Sequence, residues 1–156
     1  MIAAGSTLTD FTLQDDSGTA VQWSSLRGKP VVIFAYPRAD TPGCTKEACA
    51  FRDLQADFAA IGVAVYGISA DKVASQYKFR AKYGLTIPLL SDPEKAVLGE
   101  LGAWGEKMMY GKKVLGILRS TFLFDAAGVL VLHWPKVQVE GHAEKVLAAA
   151  TARFVG

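Results

Sequence analysis

The side chains with the strongest claim to covalent chemistry are the two cysteines, Cys44 and Cys49, five residues apart. Cys44 ends the run Pro37-Arg38-Ala39-Asp40-Thr41-Pro42-Gly43-Cys44, which follows an apolar stretch and precedes a helical one. Pro42 and Gly43 read as a sharp turn, which puts Cys44 in the first turn of that helix. Unpaired backbone N–H groups and the positive end of the helix dipole favour an anion there. A thiolate is the anion on offer, and helix starts and neighbouring cations are the surroundings that make cysteines reactive. Asp40 opposes this, so a cation is required, and Arg38 in the same loop is one candidate for it. Without such a context a free cysteine is a small buried hydrophobe.

The elements that must hold Cys44 follow from periodicity. Val31-Val32-Ile33-Phe34-Ala35-Tyr36, bounded by Pro30 and Pro37, is a continuous apolar run that suits a central strand buried on both faces. Ala48, Phe51, Leu54, Phe58 and Ile61 recur at three- and four-residue steps, one stripe of an amphipathic helix ending at Gly62. Val63–Ile68 reads as a second buried strand, followed by a polar helix over 71–82, a short strand at 88–90 and a short helix at 94–101. Phe11–Leu13 and Ala20–Trp23 flank Asp15-Asp16-Ser17-Gly18, a turn composition, so an antiparallel hairpin opens the fold. Residues 102–116 contain four glycines and are expected to form a long irregular loop. Strands at 120–124 and 129–134 and a helix at 140–154 complete the pattern. Alternating strands and helices predict an α/β protein, a mixed central sheet flanked by helices with an N-terminal β-hairpin.

Composition bounds what such a fold can do. At ~150 residues per domain, a chain of 156 residues is expected to be one domain spanning 1–156. With 51% apolar and 21% charged residues it is ordinary globular material. Its 17 Lys and Arg against 15 Asp and Glu leave +2, with no basic run for nucleic acid. No apolar stretch approaches the ~20 residues of a membrane helix and the start lacks a signal-like segment, so no membrane partner and a cytoplasmic location are expected. Two cysteines in a reducing compartment point to catalysis or redox chemistry rather than a structural bridge.

The sequence from Tyr36-Pro37 through Thr41-Pro42-Gly43-Cys44 to Ala48-Cys49-Ala50-Phe51-Arg52-Asp53, with Trp104-Gly105-Glu106-Lys107, Arg119-Ser120-Thr121-Phe122-Leu123 and Trp134 to His142, resembles the peroxiredoxins, specifically the bacterioferritin comigratory protein or Q subfamily. Ala35 and Arg38-Ala39 depart from that pattern. The resemblance implies a thioredoxin-like fold and a thiol peroxidase reducing hydrogen peroxide and organic hydroperoxides. It makes Cys44 the peroxidatic nucleophile, oxidised to a sulfenic acid, and Cys49 the resolving cysteine that closes an intramolecular disulfide. Thioredoxin or a similar dithiol reductant then reopens the bridge. Arg119, the Thr41 hydroxyl and the amides of Gly43 and Cys44 are candidate donors to the departing oxygen, and Pro37 shields the sulfur. Glu47 either orients Arg119 or is merely an early-turn carboxylate favoured by the dipole. No cofactor and no metal are implied, and the chain is expected to be a monomer or weak homodimer.

Other readings compete. A thiol–disulfide oxidoreductase of thioredoxin type normally uses C-x-x-C, and here the second cysteine is two positions too far; a non-enzymatic holdase or binding module could retain the same fold. His133 and His142 lack metal-ligand spacing and read as structural or surface residues. Met108-Met109-Tyr110 reads as a flap contact on the core, with a lip for bulky hydroperoxides or a docking surface as alternatives.

Overall fold

The computed structural model describes residues 2–155. Strands β1 (Thr12–Gln14) and β2 (Ala20–Gln22) form the opening hairpin, and a turn of 3-10 helix over Trp23–Leu26 follows. Then come β3 (Val31–Ala35), α1 (Pro42–Asp53), α2 (Gln55–Ala60), β4 (Ala64–Ser69), α3 (Val73–Tyr83), β5 (Leu89–Ser91) and α4 (Ala96–Leu101). The chain ends in β6 (Trp104–Met109), β7 (Lys112–Ile117), β8 (Ser120–Phe124), β9 (Leu130–Trp134) and α5 (His142–Phe154). Seven strands make one mixed sheet in the order β2-β1-β5-β4-β3-β8-β9, with β3, β4 and β5 parallel and β8 antiparallel to β3.

All five residues of β3 are buried, as its unbroken apolar run requires of a strand covered on both faces. Alternation divides them. Val32 and Phe34 join Phe51, Phe58, Phe79 and Val146 from the helices on one face. Val31, Ile33 and Ala35 join Trp23, Leu98, Phe122 and Phe124 on the other.

Three sequence expectations are corrected. The helix expected to run unbroken to Gly62 is two, because the chain departs from helical geometry at Leu54 (φ −100°, ψ 4°), although Phe51 and Phe58 keep the same buried stripe. Residues 102–116 are not an irregular loop. They contain β6 and β7, paired antiparallel around a Tyr110-Gly111 turn, with Gly105 directly opposite Gly116. Both turn residues have positive φ, 54° and 77°, the geometry of a two-residue hairpin turn matched to strand twist; the glycines mark a turn and a close strand pair rather than disorder. Finally, Met108, Met109 and Tyr110 do not rest on the core but are exposed at the hairpin tip.

Candidate active site

The parallel strands deliver their carboxyl ends to one edge of the sheet, where α/β folds carry their sites. Beyond the end of β3 the chain reverses at Asp40, whose φ of 60° makes it the turning residue; Asp and Asn adopt this left-handed region more readily than most residues. Pro42 and Gly43, expected to make that turn, are instead the first residues of α1. Proline suits this position because its missing N–H has no helical partner there. Asp40 spends its charge away from the sulfur: Tyr83 Oη donates to it at 2.6 Å and Lys82 Nζ at 3.0 Å. Those two bonds hold its carboxyl below the usual range. Its opposition to a thiolate at Cys44 is thereby reduced.

Cys44 is 1% exposed, on the buried stripe of α1 with Glu47, Ala48 and Phe51. Gly43 and Cys44 stand second and third in the helix, where no preceding carbonyl is available to their amides. Arg119, between β7 and β8, donates from Nη2 to Cys44 Sγ at 3.4 Å and from Nη1 to Glu47 Oε1 at 2.7 Å. Of the rival cations it is therefore Arg119 that reaches the sulfur; Arg38 is exposed on the cavity rim. Gly43 earns its place by size: a Cβ there would lie 3.2 Å from Arg119 Nη2.

Glu47 is 1% exposed, and burial pushes its carboxyl up to about 7 despite the Arg119 charge and hydrogen bond that act against it. Its second oxygen, Oε2, is buried without a partner, which explains why burial outweighs the ion pair. For Arg119, burial disfavours the cation, but Cys44 and Glu47 more than offset that and raise it overall. One cation thus sits between two acidic groups.

Thr41 occupies the position before α1 yet does not cap it; its hydroxyl donates to the Arg38 carbonyl at 2.8 Å. That commits the proton expected to be available to a departing oxygen and leaves the lone pairs. Cys49 is half-buried against the Phe34–Phe51 side of the sheet, not on the polar face that helical rotation suggests, and both cysteines are free.

A cavity of about 520 Å³ opens over Cys44. Pro37, Thr41, Cys44 and Arg119 line one side, and Trp104, Met109, Val114, Leu115 and Ile117 the other. Met109 thus takes the lip position weighed as the alternative to a core contact. A larger cavity of about 630 Å³, between β1 and the starts of α3 and α4, contains neither cysteine nor Arg119.

Beneath the Pro37–Thr41 loop lies a polar network that sequence reasoning did not single out. Tyr36 donates to Gln76 Oε1, Gln76 Nε2 to Ser69 Oγ at 2.8 Å, Ser69 Oγ to Asp71 Oδ2 at 2.6 Å, and the Ala39 amide to Asp71 Oδ2 at 2.8 Å. Burial of Tyr36 drives its phenol upward, so it stays neutral and able to donate. The one sequence signal for Gln76 is its place three residues before the buried Phe79. His142 bonds Thr121 at 2.8 Å at the start of α5 and His133 stacks on Phe122. Among the described residues no group of three His, Cys, Asp or Glu side chains converges.

A mixed sheet with a buried cysteine at a helix start under an arginine defines a class, the thioredoxin-fold peroxiredoxins. A Xanthomonas campestris bacterioferritin comigratory protein, studied for alkyl peroxide reduction, superposes with a TM-score of 0.88 at 42% identity over 92% of this chain and 91% of that one. A PrxQ mutant of Xylella fastidiosa does so at 0.93 and 35% over 98% of both. Peroxiredoxin Bcp of Bacillus subtilis is 39% identical over 146 residues, 94% of this chain and 93% of that protein. The profile of the AhpC/TSA family matches residues 4–133, and the chain belongs to that family. It is a thiol peroxidase, taking a peroxide and a thiol reductant.

Proposed function

We propose that Cys44 is the peroxidatic nucleophile and Cys49 its resolving partner, with Arg119, Thr41 and Pro37 shaping the reaction. The observation that carries this is the 3.4 Å contact of Arg119 Nη2 with Cys44 Sγ at the open start of α1. The thiolate attacks the terminal oxygen of a hydroperoxide; the S–O bond forms, the O–O bond breaks, and the remaining oxygen leaves as hydroxide or alkoxide that takes a proton from solvent. Negative charge moves from sulfur onto that oxygen, so Arg119 and the amides of Gly43 and Cys44, already aimed at the anion, stabilise both ends of the transfer. Thr41, its proton committed to Arg38, accepts the peroxide O–H and orients it. Glu47 fixes the arginine plane. Pro37, on the cavity wall, limits water at the sulfur.

The Cys49 thiolate then attacks the Cys44 sulfenic acid, releasing hydroxide and closing a disulfide. A dithiol of thioredoxin type reduces it, and the two free cysteines suit a reducing cytoplasm. The coupled assay with thioredoxin, its reductase and NADPH tests the assignment. Cys44→Ser is expected to abolish peroxide-dependent NADPH oxidation, and Cys49→Ser to permit one turnover and stall as a trappable sulfenic acid. Wild-type activity in Cys44→Ser would transfer the chemistry elsewhere.

A further inference from the structure

We propose that the β6–β7 hairpin is a peripheral docking element that seats the mouth of the Cys44 cavity on an anionic lipid surface. The hairpin is a two-stranded sheet of its own, outside the seven-stranded one, and both members of its two outermost pairs, Met108 opposite Lys113 and Met109 opposite Lys112, are exposed. At its tip Tyr110 is 99% exposed; the two-residue turn sets its φ of 54° and holds its ring out in solvent.

The apolar surface continues from the tip inward. Met108 and Leu115 are 64% and 67% exposed, and Met109 and Leu115 also line the Cys44 cavity. Lys112 and Lys113, both exposed, flank these residues, while Lys107 turns its ammonium back to the Ile117 carbonyl; Glu106 is the one carboxylate in the two strands. Apolar side chains at a projecting end, collared by lysines whose alkyl stems can lie along them, match an interface that is soft, apolar below and anionic above.

A docking protein fits less well. The partner that must visit this enzyme, its dithiol reductant, acts on the Cys44–Cys49 bridge after α1 has unwound, whereas the hairpin's apolar residues already border the Cys44 cavity of the reduced protein. The hairpin flanks the peroxide's entrance instead. Given the peroxidase reading above, on which this part rests, a lipid surface would present apolar hydroperoxides to the wall of Met109, Val114 and Leu115. The expectation of no membrane partner is thereby narrowed: among the described residues no helix is long and apolar enough to cross a bilayer, and contact is from one side.

Co-sedimentation of the whole protein with vesicles tests this. Vesicles of phosphatidylcholine and phosphatidylglycerol in equal parts are expected to retain it at low salt and release it at about 0.5 M salt, where charges are screened; pure phosphatidylcholine retains little. Lys112→Glu/Lys113→Glu should weaken retention about tenfold or more. Met108→Ser/Tyr110→Asn should weaken it similarly while keeping the salt dependence. Both double variants should reduce hydrogen peroxide in solution at the parent rate. No retention of the parent by anionic vesicles, or equal retention of parent and variants, overturns the proposal. So does a rise in KM for thioredoxin in Met108→Ser/Tyr110→Asn with vesicle binding intact, which would make the hairpin a protein-docking surface. Loss of the peroxidase reading would look different: vesicle binding intact, with no peroxide reduction in any of these proteins.

Discussion

At the scale of single residues, the site turns on one guanidinium shared by two acids. Arg119→Ala is expected to slow peroxide reduction by about 10²–10³-fold, the usual cost of losing one preorganised donor. Arg38→Ala, at an exposed rim position, should do little; a larger loss of rate from Arg38→Ala would reverse the assignment. Gly43→Ala offers a sharper test, because alanine is the better helix former while its methyl would lie 3.2 Å from Arg119 Nη2 and press the guanidinium away from the sulfur. Thermal stability should hold or rise as activity falls. Glu47 and His142 tilt stability against pH in opposite senses. Glu47 is raised from 4.5 to about 7, so the folded state binds its proton more tightly, and its contribution is full below 4.5 and gone above 7. His142, lowered from 6.5 to about 4 chiefly by burial, contributes above 6.5 and loses that contribution as pH falls to 4. Glu47→Gln should therefore gain stability relative to the parent as pH rises from 4.5 to 7, and His142→Gln should gain on it as pH falls from 6.5 to 4. Parallel unfolding curves for parent and variants would show that these groups do not titrate as buried acids and bases.

At the scale of elements, α1 both creates the thiolate site and blocks the next step. In an ideal helix residues 44 and 49 are separated by about 7.5 Å of rise and 140° of rotation, which sets their Cα atoms roughly 8.7 Å apart, whereas a disulfide usually needs less than ~7 Å. Both lie within α1, Cys44 fully buried. Closing the bridge must therefore unwind the first turns, dismantling the anion-stabilising start and opening Cys44 to its reductant. Amides 44–52 are expected to exchange hydrogen at least tenfold faster in the peroxide-oxidised protein than in the reduced one. Equal protection would remove Cys49 as the partner. The buried stripe of α1 and α2 was readable from its spacing and β3 from its unbroken apolar run, and the opening hairpin from the residue types of its turn. The β6–β7 pair was not, since Gly105 and Gly116 read as breakers until the register sets them opposite each other. Arg119 was likewise legible by type and motif, whereas Gln76 and Asp71 were not: beyond the place of Gln76 three residues before Phe79, nothing local distinguishes a polar side chain at a helix surface from one that props up a loop 30 or more residues away.

At the scale of the whole molecule, the two cores meet only through the sheet. Phe51 stacks on Phe34 at 4.5 Å on the face that carries α1, while Leu98 of α4 belongs to the cluster on the opposite face with Ile33 and Phe122. Neighbouring residues of β3 serve both sides, so neither face can lose its packing without disturbing the strand that the other requires. This argues for one cooperative unit. Phe51→Ala should cost about 3–5 kcal/mol and Leu98→Ala about 2–5 kcal/mol, each a large share of the 5–15 kcal/mol typical of a folded domain. At about 2–4 °C per kcal/mol for a chain of this size, either variant should lower Tm by roughly 5–20 °C. The decisive feature is the shape of the transition, since both variants should unfold in one step that coincides when followed by near- and far-ultraviolet circular dichroism. Two separated steps, with Phe51→Ala moving only one and Leu98→Ala only the other, would divide the chain into halves and refute its reading as a single domain.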